Sequence, residues 1–376
     1  MQSLPESALG QYYIGLMSGT SLDGIDVVIA QRDRCGFKQI AACCIDLPPS
    51  LRLQLLQICQ DKKVDLQTLG EVDHQFAIAC ATAVNQLLKD SHIRAEQICA
   101  IGSHGQTIFH SPQGPLPFSQ QIGDANLIAA RTGITCVADF RRMDMAYGGQ
   151  GAPLVPAFHQ ALFAKQGCNR VILNIGGIAN ISILHSDTKV LGYDTGPGNM
   201  LMDAWINLHH DKHFDKDAKF AQQGKVAPAL LAPLLSDPYF AQAAPKSTGR
   251  EKFNLSWLQQ QLHALTPHYF TPHDVQRTLL EFSAITITEQ IKLQTSPCAV
   301  YVCGGGALNP LLMQRLQALL PDHTVLDTQI LNIDPMFVEA VAFAWLAEQR
   351  LYEIPIALKE VTGAYKNAIL GAIYKP

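Results

Sequence analysis

The chain carries one local device twice, about 160 residues apart, and that duplication limits the folds open to it. Tyr12–Met17 (YYIGLM) reads as a strand, Ser18–Gly24 (SGTSLDG) as a turn rich in hydroxyls and glycine, and Ile25–Gln31 (IDVVIAQ) as a returning strand. Arg170–Ile175 (RVILNI), the Gly176-Gly177 turn and Ile178–Leu184 repeat the device, although the residues themselves match poorly. Each hairpin leads into further strand and helix patterns, so the repeat is architectural. Twin α/β halves of this kind are expected to be two domains facing a cleft. Successive backbone N–H groups in the two Gly-rich turns form nests for anions, which suits a nucleotide's phosphates.

The remaining pattern fills in each half. Strand signals recur at Gln39–Asp46, Ile98–Ser103 and Ile134–Ala138 in the first half, and at Val190–Asp194 and Cys298–Cys303 in the second. Helices are expected near Ser50–Gln60 and Leu66–Lys89, the latter with Leu69, Val72, Phe76, Ala79, Ala83 and Leu87 at helical spacing. Further helices are expected at Asn199–Leu208, near Pro272–Leu293 and from Asn309. Tyr147–Pro156 (YGGQGAPLVP), rich in Gly and Pro, reads as a hinge or interdomain crossing.

Length and composition narrow the function. At roughly 150 residues per domain, 376 residues hold two or three domains. Lys plus Arg is 28 against 32 Asp plus Glu, so a nucleic-acid backbone is not an expected partner. The apolar stretch Val338–Ala347 carries Glu339 and is half the length of a membrane span, so no membrane association is expected. No basic residue precedes Arg32, which argues against a secretory leader. The 10 cysteines form no C-x-x-C pair and read as buried free thiols of a reducing, cytoplasmic compartment.

Several motifs carry chemistry, each with a plainer alternative. In Ser18–Gly24, hydroxyls and glycine N–H groups can cradle phosphate oxygens, and Asp23 can hold a water of a magnesium ion; the alternative is an ordinary hairpin loop. In Gly192–Asn199 (GYDTGPGN), Asp194 ends a strand before a Gly-Pro-Gly turn and a helix, as a general base or as a turn cap. Gly304-Gly305-Gly306 admits close approach of an adenine or ribose, or simply close helix–strand packing. Ala138–Ala146 (ADFRRMDMA) offers Arg141 and Arg142 as carboxylate clamps, or as part of a surface ion network with Asp139 and Asp144. Lys246 and Arg250 in PKSTGRE are anion contacts or part of a polar loop. Glu339, among apolar helix residues, is either paired in the core or turned into a site. His209 and His213 sit four apart in LHHDKHFDKD as a weak metal pattern, a polar helix end being the stronger reading.

Taken together, GLMSGTSLDGID, GSHGQT, ADFRRMDMAYGGQGAPLVP, NIGGIAN, GYDTGPGNMLMDAW, PKSTGRE and CGGGALNP resemble the signatures of the anhydro-N-acetylmuramic acid kinases. The match runs from Gly15 to Pro310 and is extended by Glu339 and Val361–Ala364. The resemblance implies two ribonuclease-H-like domains of the actin, hexokinase and Hsp70 type flanking a central cleft. The domains are expected at residues 1–140, with 350–376 returning to the first, and at 141–349. It implies that ATP, with Mg²⁺, and water convert 1,6-anhydro-N-acetylmuramic acid into N-acetylmuramic acid 6-phosphate and ADP, in recycling of the bacterial cell wall. By similarity Asp194 is the catalytic base; Ser18, Gly19, Thr20, Ser21, Leu22, Asp23, Gly24 and Ile25 form the ATP phosphate loop; and Arg131, Arg141 and Glu339 contact the sugar. Gly176, Gly177, Gly304, Gly305 and Gly306 are expected on the nucleotide, and the small-molecule enzyme is expected to be a homodimer. Two other classes remain: a different sugar or carboxylate kinase of the same superfamily, and a nucleotide-driven binding or assembly protein.

Overall fold

The computed structural model describes residues 8–19, 22, 24–34, 36–185, 190–244 and 246–376. The first stretch of chain forms β1 (Tyr12–Met17), β2 (Ile25–Arg32), β3 (Phe37–Ile45), α1 (Pro49–Asp61), α2 (Leu66–Ser91), β4 (Ile98–Ser103), β5 (Gln106–Ser111), β6 (Phe118–Ile122), α3 (Ala125–Thr132), β7 (Cys136–Ala138), α4 (Arg142–Ala146) and α5 (Val155–Phe163). The middle forms β8 (Arg170–Ile175), β9 (Ile178–Leu184), β10 (Val190–Pro197), α6 (Met200–His210), α7 (Pro228–Leu235), α8 (Leu255–Ala264), α9 (Pro272–Gln294), β11 (Ala299–Cys303), α10 (Pro310–Leu319) and β12 (Thr324–Asp327). The chain then adds α11 (Val338–Leu351), α12 (Lys359–Thr362) and β13 (Ala372–Tyr374).

These elements divide into two units, the described residues up to Leu162 together with Phe337–Pro376, and Phe163–Met336. Both sheets have the same topology. In the second unit the order is β10-β9-β8-β11-β12; in the first it is β3-β2-β1-β4-β7, with β13 added antiparallel at the edge. In each, an antiparallel meander is followed by two strands parallel to the first. That is the ribonuclease-H-like order, so the duplication read from the twin hairpins is a duplication of whole sheets.

Local chemistry accounts for the elements. Apolar β-branched runs bury β1, β2 and β8 on both faces, as central strands require. Helix α2 starts where the Asp65 carboxylate accepts from the Thr68 N–H at 2.9 Å, and stops at His92, which adopts the left-handed conformation. Its stripe Val72, Phe76, Cys80, Ala83 and Leu87 is buried in the first core, with Ile14, Val27 and Ile101 of the sheet. The second core gathers Val171, Leu173 and Val302 with Leu279, Phe282 and Ile287 of α9.

The boundaries differ from those expected at 140 and 349. Helix α11 and its run-in belong to the first unit from Phe337 on, and the crossing out of that unit falls at the end of α5 instead of in the Gly/Pro-rich stretch. The reason is a pair of glycines. Gly15 of β1 and Gly102 of β4 are register partners. A Cβ at Gly15 would run into the carbonyl of Ala340, and one at Gly102 into the carbonyl of Phe343. Two adjacent strands thus lack side chains where α11 lies, and the helix backbone rests directly on the sheet. Replacement by Gly15→Ala forces helix and sheet apart; about 3 kcal/mol of stability is expected to be lost, measurable by urea unfolding.

Candidate active site

In the first unit β1, β4 and β7 run parallel, so their C-terminal ends share one edge, where ligands of open α/β sheets bind. Three sequence motifs leave the sheet there. The turn after β1 is closed by the Ser18 hydroxyl, which donates to the Gly24 carbonyl at 3.0 Å. Leu22 is buried in the core with φ +57°, and its carbonyl accepts from Arg52 Nε at 2.9 Å. Leu22 therefore anchors the loop with its side chain, and the Ser18 proton is spent within the loop. Thr20, Ser21 and Asp23 lie outside the described residues.

His104 follows β4 and Arg141 follows β7. His104 is buried, its ring 4.9 Å from that of Phe343 of α11. Burial, and then the Arg141 charge, depress its pKa to about 3, so the ring is neutral. Arg141 Nη2 lies 2.8 Å from His104 Nε2, which must be the acceptor because a guanidinium only donates. Arg141 Nη1 donates to the Gly151 carbonyl at 2.8 Å. Burial lowers the Arg141 pKa to about 10, against the opposing charge of Glu339, so the cation persists. Its Nε is buried without an acceptor among the described residues, a donor suited to an incoming anion. Glu339, in the first turn of α11, has its carboxyl raised by burial and by Asp26, with Arg141 pulling the other way.

The Gly-rich stretch is fastened within the first unit by hydrogen bonds. Asp144 is buried; its carboxylate accepts from the Gly151 N–H and from the Thr362 hydroxyl, both at 2.8 Å. Gln150 N donates to the Thr362 carbonyl at 3.0 Å, and Tyr365 N to the Tyr147 carbonyl at 2.9 Å. The C-terminal VTGA stretch thus pins the loop whose carbonyl receives Arg141. Arg142 turns outward instead and pairs with Asp139 at 2.6 Å.

Arg131 is not brought to this edge. Helix α3 starts near Gly105, which packs against Gly123, and runs away from it toward the start of β7. Arg131 lies in the last turn of α3, exposed, its carbonyl accepting from Asn85. Its expected contact with the sugar rests on the family resemblance alone.

The second unit gathers the other candidates on the equivalent edge. The carbonyls of Gly176 and Gly177 accept from the backbone N–H groups of Gly198, Asn199 and Met200, docking the β8–β9 turn to the start of α6. Gly304 has φ +78°, and a Cβ there would strike Asn174 and the Ile175 carbonyl; Gly306 likewise lies against Ile175. Close packing of the turn after β11 against the end of β8 therefore explains Gly304 and Gly306, while Gly305 is exposed at the same edge.

Asp194 sits where β10 bulges. Its register partner is Asn180, but Gly196 pairs with Ala179, so Thr195 is the extra residue and the strand is re-aimed. The carboxylate is half-buried. Its Oδ2 accepts from the Ser247 hydroxyl at 2.9 Å and the Thr248 N–H at 3.0 Å. Burial raises its pKa, those two donors lower it, and Glu251 raises it again. Lys246 is turned inward, its ammonium donating to the carbonyls of Tyr239 and Phe240 at 3.2 Å each. It is thus no anion contact, and PKSTGRE serves as the support of Asp194. His209 and His213 share no helical face, because α6 ends at His210 with Asp211 in the left-handed conformation.

The sequence reading assigned no role to His104, Ser247, Thr248 or Thr362, and it placed Asp144 in a surface ion network although that carboxylate is buried. All five lie in motifs of polar and small residues, which was the available signal; their partners are distant in sequence.

A family model described as Anhydro-N-acetylmuramic acid kinase matches residues 11–376. The chain belongs to this family. An anhydro-N-acetylmuramic acid kinase of Vibrio vulnificus (strain YJ016) is 52% identical over 366 residues, covering 97% of this chain and 98% of the relative. That of Pasteurella multocida (strain Pm70) is 53% identical over 365 residues, 96% of each chain. Among solved structures, the activator of the 2-hydroxyisocaproyl-CoA dehydratase from Clostridium difficile with bound ADPNP aligns at TM-score 0.45 and 12% identity, over 94% of this chain and 98% of its own. Within this family member, Thr362→Val keeps side-chain shape but removes a donor to a buried carboxylate; a loss of roughly 1.5–3 kcal/mol is expected in chemical unfolding.

Proposed function

We propose that this chain carries out the family's reaction with Asp194 as the base that activates water. The activity is an ATP-dependent sugar kinase's: 1,6-anhydro-N-acetylmuramic acid, ATP and water give N-acetylmuramic acid 6-phosphate and ADP, in cell-wall recycling. The observation that carries the residue assignment is the bulged, half-buried Asp194, both of whose protein donors end on Oδ2. Oδ1 accepts from no protein group among the described residues and takes the proton of a water. The water oxygen bonds to C1 as the C1–O6 bond breaks. The departing O6 takes the γ-phosphoryl group as the bond to ADP breaks. C1 becomes oxocarbenium-like, and the nearby carboxylate favours that charge. Transfer to O6 is otherwise a matter of positioning and charge neutralisation.

Arg141, with an unspent Nε–H, is the clamp for the lactyl carboxylate, and Glu339 beside it contacts the sugar hydroxyls. The backbone of Ser18–Ile25 and the turns Gly176-Gly177 and Gly304–Gly306 attend the nucleotide. Asp26 at the start of β2, and Asp23 by its place in the sequence, supply hard oxygens of the kind Mg²⁺ takes, directly or through its waters, and the ion would offset phosphate charge. A cytoplasmic homodimer completes the reading. The compartment is supported by the lack of disulfides among the nine described cysteines, of which Cys80, Cys136 and Cys303 are buried while Cys44 and Cys168 are exposed, contrary to the expectation that all are buried; light scattering checks the dimer.

Asp194→Asn keeps the shape and removes the base, so kcat is expected to fall by about 10²–10⁴ with both KM values near native. In ¹⁸O-labelled water the label is expected at C1; label in phosphate means plain ATP hydrolysis and refutes the assignment. Because burial raises the Asp194 pKa, and the base works only when ionised, kcat is expected to rise with pH through a limb lying above the ordinary aspartate range. A separate measurement concerns Arg141→Ala: a lost charged contact worth on the order of 2–5 kcal/mol is expected to raise the sugar KM far more than that for ATP.

A further inference from the structure

We infer that Ser247 is a positioning residue for the reaction: its hydroxyl, together with the Thr248 N–H, binds one oxygen of Asp194 and leaves the other as the proton acceptor. This rests on the reading of Asp194 as the base. The two donors come from consecutive residues, at 2.9 and 3.0 Å, and both end on Oδ2. A carboxylate with protein donors on both oxygens would keep fewer open lone pairs for a proton and would be less basic at each. One held at neither would rotate. Fastening a single oxygen with two donors fixes the plane of the group and keeps Oδ1 available.

The donors are themselves fixed to the strand that carries Asp194. The Asp194 N–H donates to the Lys246 carbonyl at 3.0 Å, so the loop runs alongside the bulge. The Tyr239 hydroxyl donates to the Asp194 carbonyl at 2.6 Å. The Lys246 ammonium lies 4.8 Å above the Tyr239 ring while bonding the carbonyls of Tyr239 and Phe240. A water replacing the Ser247 hydroxyl could supply a hydrogen bond but not this tether. Ser247 is exposed, so its loss opens no cavity.

The second consequence is electrostatic. The titratable groups around Asp194 are Glu251, which disfavours its charge, Tyr239 and Tyr193, which stay neutral, and Lys246, whose charge is engaged by carbonyls. The two donors are therefore the stabilisers of the carboxylate against burial. Removing one raises the pH at which the base ionises.

The test is the kcat–pH profile of Ser247→Ala, Ser247→Thr and Asp194→Asn beside the native enzyme, with KM values and melting temperatures. For Ser247→Ala the acid limb is expected to move up by roughly 0.5–1 unit and the plateau to fall about tenfold, with both KM values and Tm unchanged. Ser247→Thr keeps a hydroxyl and is expected to bring the limb back. If Asp194→Asn loses kcat while the Ser247→Ala limb stays in place, this inference fails and the base assignment stands, whether or not the plateau drops. If Asp194→Asn keeps full kcat, the base assignment fails and the inference with it.

Discussion

The contact on which the first unit depends is between backbones. With Gly15 and Gly102 paired in adjacent strands, α11 rests on the sheet through the carbonyls of Ala340 and Phe343. Interdigitating side chains normally keep packed layers well apart, about 10 Å between stacked sheets. Removing them here brings in the first turn of the helix, and with it Glu339, together with Phe343, whose ring packs on His104 and on Phe140. The first glycine of each of GLMSGT and GSHGQT, Gly15 and Gly102, is thus explained by helix packing before any ligand is considered.

From that contact a chain of hydrogen bonds runs along the sheet edge. Thr362 and Gly151 donate to Asp144, Arg141 donates to the Gly151 carbonyl, and Arg141 also donates to neutral His104. Each acceptor is either a buried carboxylate, a carbonyl in a loop that carboxylate fixes, or an imidazole that burial keeps unprotonated. The guanidinium is therefore held in one plane before a ligand arrives, and little rotamer entropy remains to be lost on binding. The C-terminal segment takes part through Thr362, which is why a stretch so far from Arg141 in sequence belongs to the same site.

Much of the fold is legible in the sequence because it depends on local pattern. Arg170–Ile175 and Ile178–Leu184 are apolar β-branched runs around Gly-Gly, and the observed strands have those bounds. The β5–β6 hairpin escapes such reading: QTIFHS and FSQQI are polar runs with no sharp alternation, joined where Phe109 stacks on Phe118 at 5.2 Å. Gly148–Gly151 reads as flexible by composition, yet one buried carboxylate pins it. The candidate residues divide the same way. Asp194, Arg141 and Glu339 stand out because a charge beside glycines or inside an apolar helix is unusual locally. Ser247, His104 and Asp144 matter through partners 53, 37 and 218 residues away, which no window along the chain can reveal.

The two units use one sheet topology for opposite electrostatic ends. On the first, the edge presents a cation kept charged despite burial, since a guanidinium lowered only to about 10 still binds its proton at neutral pH. On the second, the edge presents a carboxylate that burial makes more basic and two hydrogen bonds keep ionisable. Neither balance follows from topology, because the same strand ends carry a hydroxyl loop, an imidazole, a guanidinium or a carboxylate as the sequence supplies them. What the topology does supply is a row of strand termini where backbone direction changes and side chains of neighbouring strands converge. A water-activating base needs burial deep enough to raise its affinity for a proton, yet shallow enough to leave it charged. In the role proposed for Asp194, a strand bulge with one oxygen fastened and one left open suits both requirements, and that is the geometry of β10 at this residue.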